Sequence, residues 1–143
     1  MKRNMNPLFR TILGTIAGVV AGSIMVAISE KVGHTIYPTT AGIDFNDLEV
    51  LADLIANMPL GAFLFVLLGY GLGAFAGSVV GGLIGGRIAS ILAGATLCLF
   101  GLIVLMMIPH PPWFGPSVLV VNGLGTTVGL RLLKAFRGDS CCA

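Results

Sequence analysis

The sequence predicts an all-α integral membrane protein: a four-helix bundle with both termini in the cytoplasm and a short amphipathic helix in the first outer loop. Three observations carry this. First, 56% of the 143 residues are apolar, mean hydropathy is +1.00, and only 10% are charged, far below the roughly one quarter of a soluble domain. Second, Thr11–Ser29, Leu60–Gly86 and Ile88–Ile108 are free of charge, and each is near the roughly 20 residues that cross a bilayer as a helix. Third, the basic residues fall on one side of these stretches. The apolar runs are too long and lack the alternation of barrel strands.

Residues 1–10 form a short basic arm. The first span covers about 11–29. A signal peptide is the alternative, with Lys2, Arg3 and Arg10 as its basic region and Ala27-Ile28-Ser29 as its cleavage site. The apolar core is longer than the roughly 7–15 residues of such peptides, so it is expected to stay as an anchor. The loop from Glu30 to Pro59 is the longest. Within it, "NDLEVLADLIANMP" reads as an amphipathic helix over about 47–58. Leu48, Leu51, Ala52, Leu54, Ile55 and Met58 lie on one arc at 100° per residue; Glu49, Asp53 and Asn57 lie on the other. Asn46 with Glu49 suits a capping box, and Pro59 ends or kinks the helix. Such a helix lies in the interface or caps the bundle, or else simply leads into the next span.

The second span, about 60–84, and the third, about 89–108, form a hairpin around "GGLIGGRIAS". The fourth, about 117–136, follows the turn "PHPPWFGP" and carries Arg131 and Lys134 near its end, where long basic side chains snorkel to headgroups. Two short turns and one longer loop suggest an up-down bundle. Nothing divides residues 1–143 into more than one membrane domain.

Charge sets the orientation. Lys2, Arg3, Arg10, Arg87, Arg131, Lys134 and Arg137 flank one side; Lys31 alone lies on the other, beside Glu30, Asp44, Asp47, Glu49 and Asp53. Basic loops stay in the cytoplasm and acids count little. The net charge of +2 is therefore a topology signal, and no nucleic-acid partner is read from it. Cys98 falls inside the third span, and Cys141 and Cys142 are adjacent at a cytosolic tail, where thiols stay reduced. They suit neither a disulfide nor a zinc ligand set. "SCCA" places cysteine too late for a prenylation signal.

Glycine is the most patterned residue. The chain has 21, against about ten at average usage. Gly14, Gly18 and Gly22 are four apart; so are Gly69, Gly73, Gly77, Gly81 and Gly85, with Gly71, Gly82 and Gly86 widening that face. In lipid, helices associate through close packing and interhelical hydrogen bonds, and small-x-x-x-small stripes let backbones approach. This glycine-zipper pattern predicts tight contact of the first two spans with each other or with a second copy. In the fourth span Asn122, Gly125, Thr126 and Gly129 share a face, and Asn122 is expected to donate across helices. A glycine-lined pore is the alternative. No ring of charge lies at mid-membrane, as channels often show.

The two histidines mark a possible outer-face site. Glu30 and His34 are four apart beside Tyr37, and His110 and Trp113 lie in the proline-rich turn. Two histidines and a carboxylate could hold zinc. Against this, Glu30 and His34 are placed roughly opposite the Gly14/Gly18/Gly22 face, and Tyr37 and Trp113 suit an aromatic belt. A plain interfacial rim is the simpler reading. There is no G-x-S-x-G, H-E-x-x-H or phosphate loop, so neither an enzyme nor a cofactor is expected.

"EKVGHTIYPTTAGID", "MPLGAFLFVLLGYGLGAFAG" and "MMIPHPPWF" together resemble a family of small, uncharacterised four-span membrane proteins of bacteria. The resemblance covers Thr11 to about Leu133 and rests on G-H-x-x-Y-P, a P-x-G-A start of the second span, and I-P-H-P-x-W-F. It implies a multi-pass protein of the bacterial inner membrane and carries no activity or ligand. The expected function is a glycine-packed scaffold, with lipid around it and a second copy or a larger membrane complex as partner. A small-solute channel or transporter is the alternative, and an outer-face metal site the third.

Overall fold

The computed structural model describes residues 6–38, 48–107 and 110–137. They form five helices: α1 (Pro7–Ile36), α2 (Leu48–Ala56), α3 (Leu60–Gly85), α4 (Arg87–Met107) and α5 (Phe114–Arg137). Four of them, all but α2, are long and apolar enough to cross a membrane. The chain is thus a multi-pass membrane protein by the length and composition of its helices. Asn46, the expected cap of the loop helix, and Cys141 and Cys142 lie outside the described residues.

Helix α1 is much longer than the span expected at 11–29. Its start is set by Asn6, whose side chain accepts from Leu8 N, and by Pro7 in the first turn, where a missing N–H costs nothing. It then runs through Glu30 and Lys31 and stops at Tyr37-Pro38. Its 30 residues span about 45 Å at 1.5 Å each, more than the ~30 Å hydrocarbon layer, so it tilts or projects. α5 begins three residues before the expected position. Pro111 O accepts from Phe114 N, and Pro116 then falls within the first turn, where proline is tolerated.

Between α3 and α4, Gly86 has φ 86° and ψ −171°, a region open in practice only to glycine. This single residue reverses the chain. Arg10 Nε donates to Ile84 O at 2.6 Å, satisfying one of the carbonyls that the end of α3 leaves without a helical partner.

Helix α3 is the hub. It touches α1, α4 and α5; α4 touches α1 and α5; α1 and α5 do not meet among the described residues. The cross-section is therefore a rhombus with α3 and α4 on its short diagonal. The α1–α3 seam is made of backbone. A Cβ placed on Gly14 would lie 2.6 Å from Gly85 Cα, one on Gly18 2.5 Å from Gly77 O, and one on Gly22 2.7 Å from Gly73 O. From the other side, Gly81 faces Gly14 O, Gly85 faces Arg10 O, and Gly69 faces Ser29. The expected glycine faces thus meet within one chain.

A second seam joins α3 to α5. Gly125 lies on Gly71 O and Ala74, Gly129 on Ser78 and Phe75 O, and Gly82 on Leu133. Gly94 of α4 receives Thr126. These pairings make α1 antiparallel and α5 parallel to α3, the up-down order expected from the turns.

Ser78 and Ser90 are fully buried and tie α3 to α4. Ser90 Oγ donates to Ser78 O at 2.7 Å, and Ser78 Oγ donates to Ser90 O at 3.3 Å. Interhelical bonds of this kind are worth about 0.6 kcal/mol on average and up to about 1.7 in lipid. Each hydroxyl bonds the other residue's backbone carbonyl, so Ser78→Ala and Ser90→Ala each remove one bond; SDS-induced unfolding in mixed micelles is expected to show a loss of about 1 kcal/mol for each, adding in the double variant. Unchanged stability in both single variants would show that these bonds do not hold α3 to α4.

Candidate functional site

The two histidine-bearing patches both sit at the end of the bundle where α1 finishes and α3 begins, but on different sides of α3. Glu30, His34 and Tyr37 border a groove of about 70 Å³ against Ala62, Phe65 and Val66. Tyr37 lies across Gly61, and Phe65 covers Gly33. His110 stacks on Phe114 with ring centroids 5.0 Å apart and planes 7° from parallel. Trp113 meets Phe63 edge-on at 5.8 Å. Among the described residues no three His, Cys, Asp or Glu side chains form a group that could hold a metal ion. Glu30, His34 and His110 therefore do not make a ligand set.

The placement of Glu30 and His34 opposite the glycine face needs correction. A four-residue step turns a helix 40° past a full turn, so a strict stripe drifts sideways. The contact line on α1 instead moves from Gly22 to Ser29, which meets Gly69, and to Gly33, which meets Phe65. Glu30 and His34 each sit one residue, about 100°, beyond that line. They are exposed, yet they flank the seam and edge its grooves.

Asn122 is also corrected. It is 2% exposed, but its Nδ2 donates to Val118 O of its own helix at 3.0 Å, where a donation across helices was expected. Short polar side chains commonly bond the carbonyl four residues back. Its Oδ1 is buried with no hydrogen-bond partner. Val118 O can only accept, so the amide nitrogen must face it. The orphaned oxygen is therefore fixed by chemistry and does not depend on an arbitrary amide flip.

Asn122 lines a cavity of about 210 Å³ that opens between α1 and α4. α1 contributes Ser23 and Glu30, and α3 contributes Tyr70. Leu97 forms the floor, its side chain lying on Gly22 and Gly77. Phe100 and Val104 supply apolar wall. Past Leu97, towards Arg10 and Arg87, the helices close on one another through Gly18, Gly81, Ala89 and Ala93. Sequence reasoning gave no role to Tyr70 or Leu97. Tyr70 was detectable as a polar tip within an apolar span. Leu97 had no such signal, since one leucine among many looks like lipid contact.

Comparison with family models, with curated proteins and with solved structures finds no match for the chain. What the protein does must be argued from its own geometry.

Proposed function

We propose that this chain is a non-enzymatic scaffold of the bacterial inner membrane that self-associates through the outward face of α1. Arg10, Arg87, Arg131 and Lys134 gather at one end of the bundle, which supports an orientation with both termini in the cytoplasm. The glycine faces serve packing within the chain, so association falls to another surface. The observation that carries the proposal is a ridge on α1. Ile12, Ile16, Val20, Ile24, Ile28, Val32 and Ile36 recur every four residues, and all are exposed.

Every member of that ridge is β-branched. Such side chains hold one dominant rotamer in a helix, so they lose little entropy on packing. In lipid, where apolar burial gives no drive, this retained entropy and the van der Waals contact decide association. Residues on an i±4 row form a ridge that fits the groove of a second helix. Two copies of α1 related by a two-fold axis present the same surface to each other. The comparable exposed row on α3, Leu60, Leu64, Leu68 and Leu72, is leucine and lacks this stiffness.

Single cysteines test the reading in native membranes, with Cys98, Cys141 and Cys142 first replaced by serine. Oxidation is expected to link copies bearing cysteine at Ile16, Val20 or Ile24, and to leave those bearing it at Leu64 or Leu124 unlinked. Equal linking at all five positions, or none at any, would defeat self-association through α1.

A further inference from the structure

Three cations, Arg87, Arg131 and Lys134, converge on one furrow at the surface of the bundle. The register of α4 on α5 places them there. Gly101 of α4 meets Val118 of α5, and Gly94 meets Thr126. The two helices run antiparallel, and seven residues back along α4 match eight residues forward along α5. The next such step brings Arg87 level with Lys134. Each residue turns a helix by about 100°. Arg87, seven residues before Gly94, therefore stays within about 20° of the line that faces α5. Lys134 and Arg131 fall about 80° and 140° round from the Thr126 line, on the side away from Gly125, which faces α3. All three are exposed. They stand where one end of the α4–α5 furrow opens to lipid.

The charge there is of a single sign. The carboxylates among the described residues are Glu30, Glu49 and Asp53. They belong to the opposite end, Glu30 late in α1 and the other two in α2. The first turn of α4 holds no acidic residue, so Arg87 sits at the positive end of a helix, where a cation is disfavoured. An anion beside it relieves both effects. Next to the cations the furrow turns apolar. Ile91 is 43% exposed, Ala95 is exposed beside Gly94, and a Cβ on Gly123 would meet nothing within 4 Å. Thr127 Oγ1 donates to Gly123 O at 2.7 Å, so that hydroxyl is engaged within its own helix.

From this we infer that the furrow binds one anionic phospholipid, its phosphate held by Arg87, Arg131 and Lys134 and one acyl chain laid along Ile91, Ala95 and Gly123. Guanidinium forks match phosphate oxygens two at a time, and Lys134 adds a compact charge. A free phosphate would answer the cations and leave the apolar run uncovered; an anionic lipid answers both. In the proposed orientation these cations face the cytoplasmic leaflet, whose anionic lipids attract basic groups near the surface. The inference is independent of self-association, because α1 and α5 occupy opposite corners of the bundle. Arg10 is not part of the site, since Ile84 O holds its Nε on the α1 side.

Native mass spectrometry of the full chain in detergent, titrated with phosphatidylglycerol or with phosphatidylethanolamine of the same chains, tests the proposal. Phosphatidylglycerol is expected to bind saturably at one per chain, at least tenfold more tightly than the zwitterionic lipid. A basic residue near an anionic surface contributes about fivefold in affinity. Arg87→Gln, Arg131→Gln and Lys134→Gln should therefore each weaken phosphatidylglycerol about fivefold and leave phosphatidylethanolamine within about twofold. The triple variant should bind the two lipids alike. Lys31→Gln, the same loss of charge at the far end, should change neither. Ala95→Trp, which fills the furrow beside the cations, should weaken both lipids. All these positions are exposed, so the SDS unfolding midpoint should stay in place and separate lost binding from lost fold. Inorganic phosphate in excess should not displace the lipid. The inference is overturned if the parent chain binds both lipids alike, if Lys31→Gln weakens binding as much as Arg87→Gln, or if Ala95→Trp leaves binding unchanged. Displacement by inorganic phosphate would also overturn it, since a free phosphate would then be the ligand.

Discussion

Replacing Gly18 by valine is expected to detach α1 from the bundle. A Cβ at this position would lie 2.5 Å from Gly77 O, 2.8 Å from Ala93 Cβ and 3.0 Å from Gly81 Cα. Two of these neighbours are backbone, and the third is a side chain with no rotamer to change. Nothing nearby can yield, so the helices must part. Overpacking a core usually costs about 1–3 kcal/mol, and occasionally more. Here it strikes the middle of a backbone-to-backbone seam that holds two helices without a hydrophobic drive, so a loss of at least about 3 kcal/mol is expected. Gly123 is the internal control, because a Cβ there meets nothing within 4 Å. Gly123→Ala should be neutral or gain up to about 1 kcal/mol of helix propensity. Both changes are read by SDS-induced unfolding and by protease cleavage of the purified chain. Equal stability of the two variants would mean that the α1–α3 seam does not hold the fold.

The contrast between these two glycines shows what the sequence could and could not reveal. A spacing of four marked Gly14, Gly18 and Gly22 as a contact face, because small residues in lipid have few other uses. The number of spans was legible for a similar reason: backbone in hydrocarbon must satisfy itself, which leaves long apolar runs little choice but helix. Which glycine meets which partner was not legible, since one stripe could equally face another copy. Gly71 and Gly82 serve the α5 seam and not the α1 seam, a division that depends on the three-dimensional order of the helices. The ends of α1 were missed because hydropathy stops at Glu30, whereas the helix stops only at Tyr37. Charged residues past the membrane core remain good helix formers.

At the candidate site, legibility failed for a different reason. Residues of striking type drew the attention: two histidines, a tryptophan and a tyrosine. The structure separates them on two sides of α3. The cavity depends instead on Asn122 and Tyr70, which lie on different helices far apart in sequence, and on small residues whose contribution is the space they leave. Asn122 was noticed, but its orientation was set by Val118 O within its own helix, a local bond that the pattern of a helix face does not report.

Phe114→Ala is expected to loosen the end of the bundle that carries both patches. Phe114 is 1% exposed and sits in a cluster with Phe63, Leu67 and Val118. Its ring meets Phe63 edge-on at 5.5 Å and Trp113 edge-on at 5.7 Å, and it supports the stacked His110. In a water-soluble core, truncating a buried phenylalanine costs about 3–5 kcal/mol. Part of that cost is transfer to water, which largely lapses when the separated helices stay in lipid. The cavity and the lost aromatic contacts remain, so about 2–3 kcal/mol is expected. Phe114→Leu, which keeps most of the volume, should cost about half as much. Because Trp113 is the only tryptophan, its fluorescence reports the site directly. Phe114→Ala should shift the emission to the red as Trp113 loses a covering ring, whereas Gly123→Ala should leave it in place. If Phe114→Ala unfolds at the same SDS fraction as the parent with unchanged emission, the aromatic cluster does not hold this end of the bundle, and the α3–α5 contact rests on its glycine seam of Gly71, Gly82, Gly125 and Gly129.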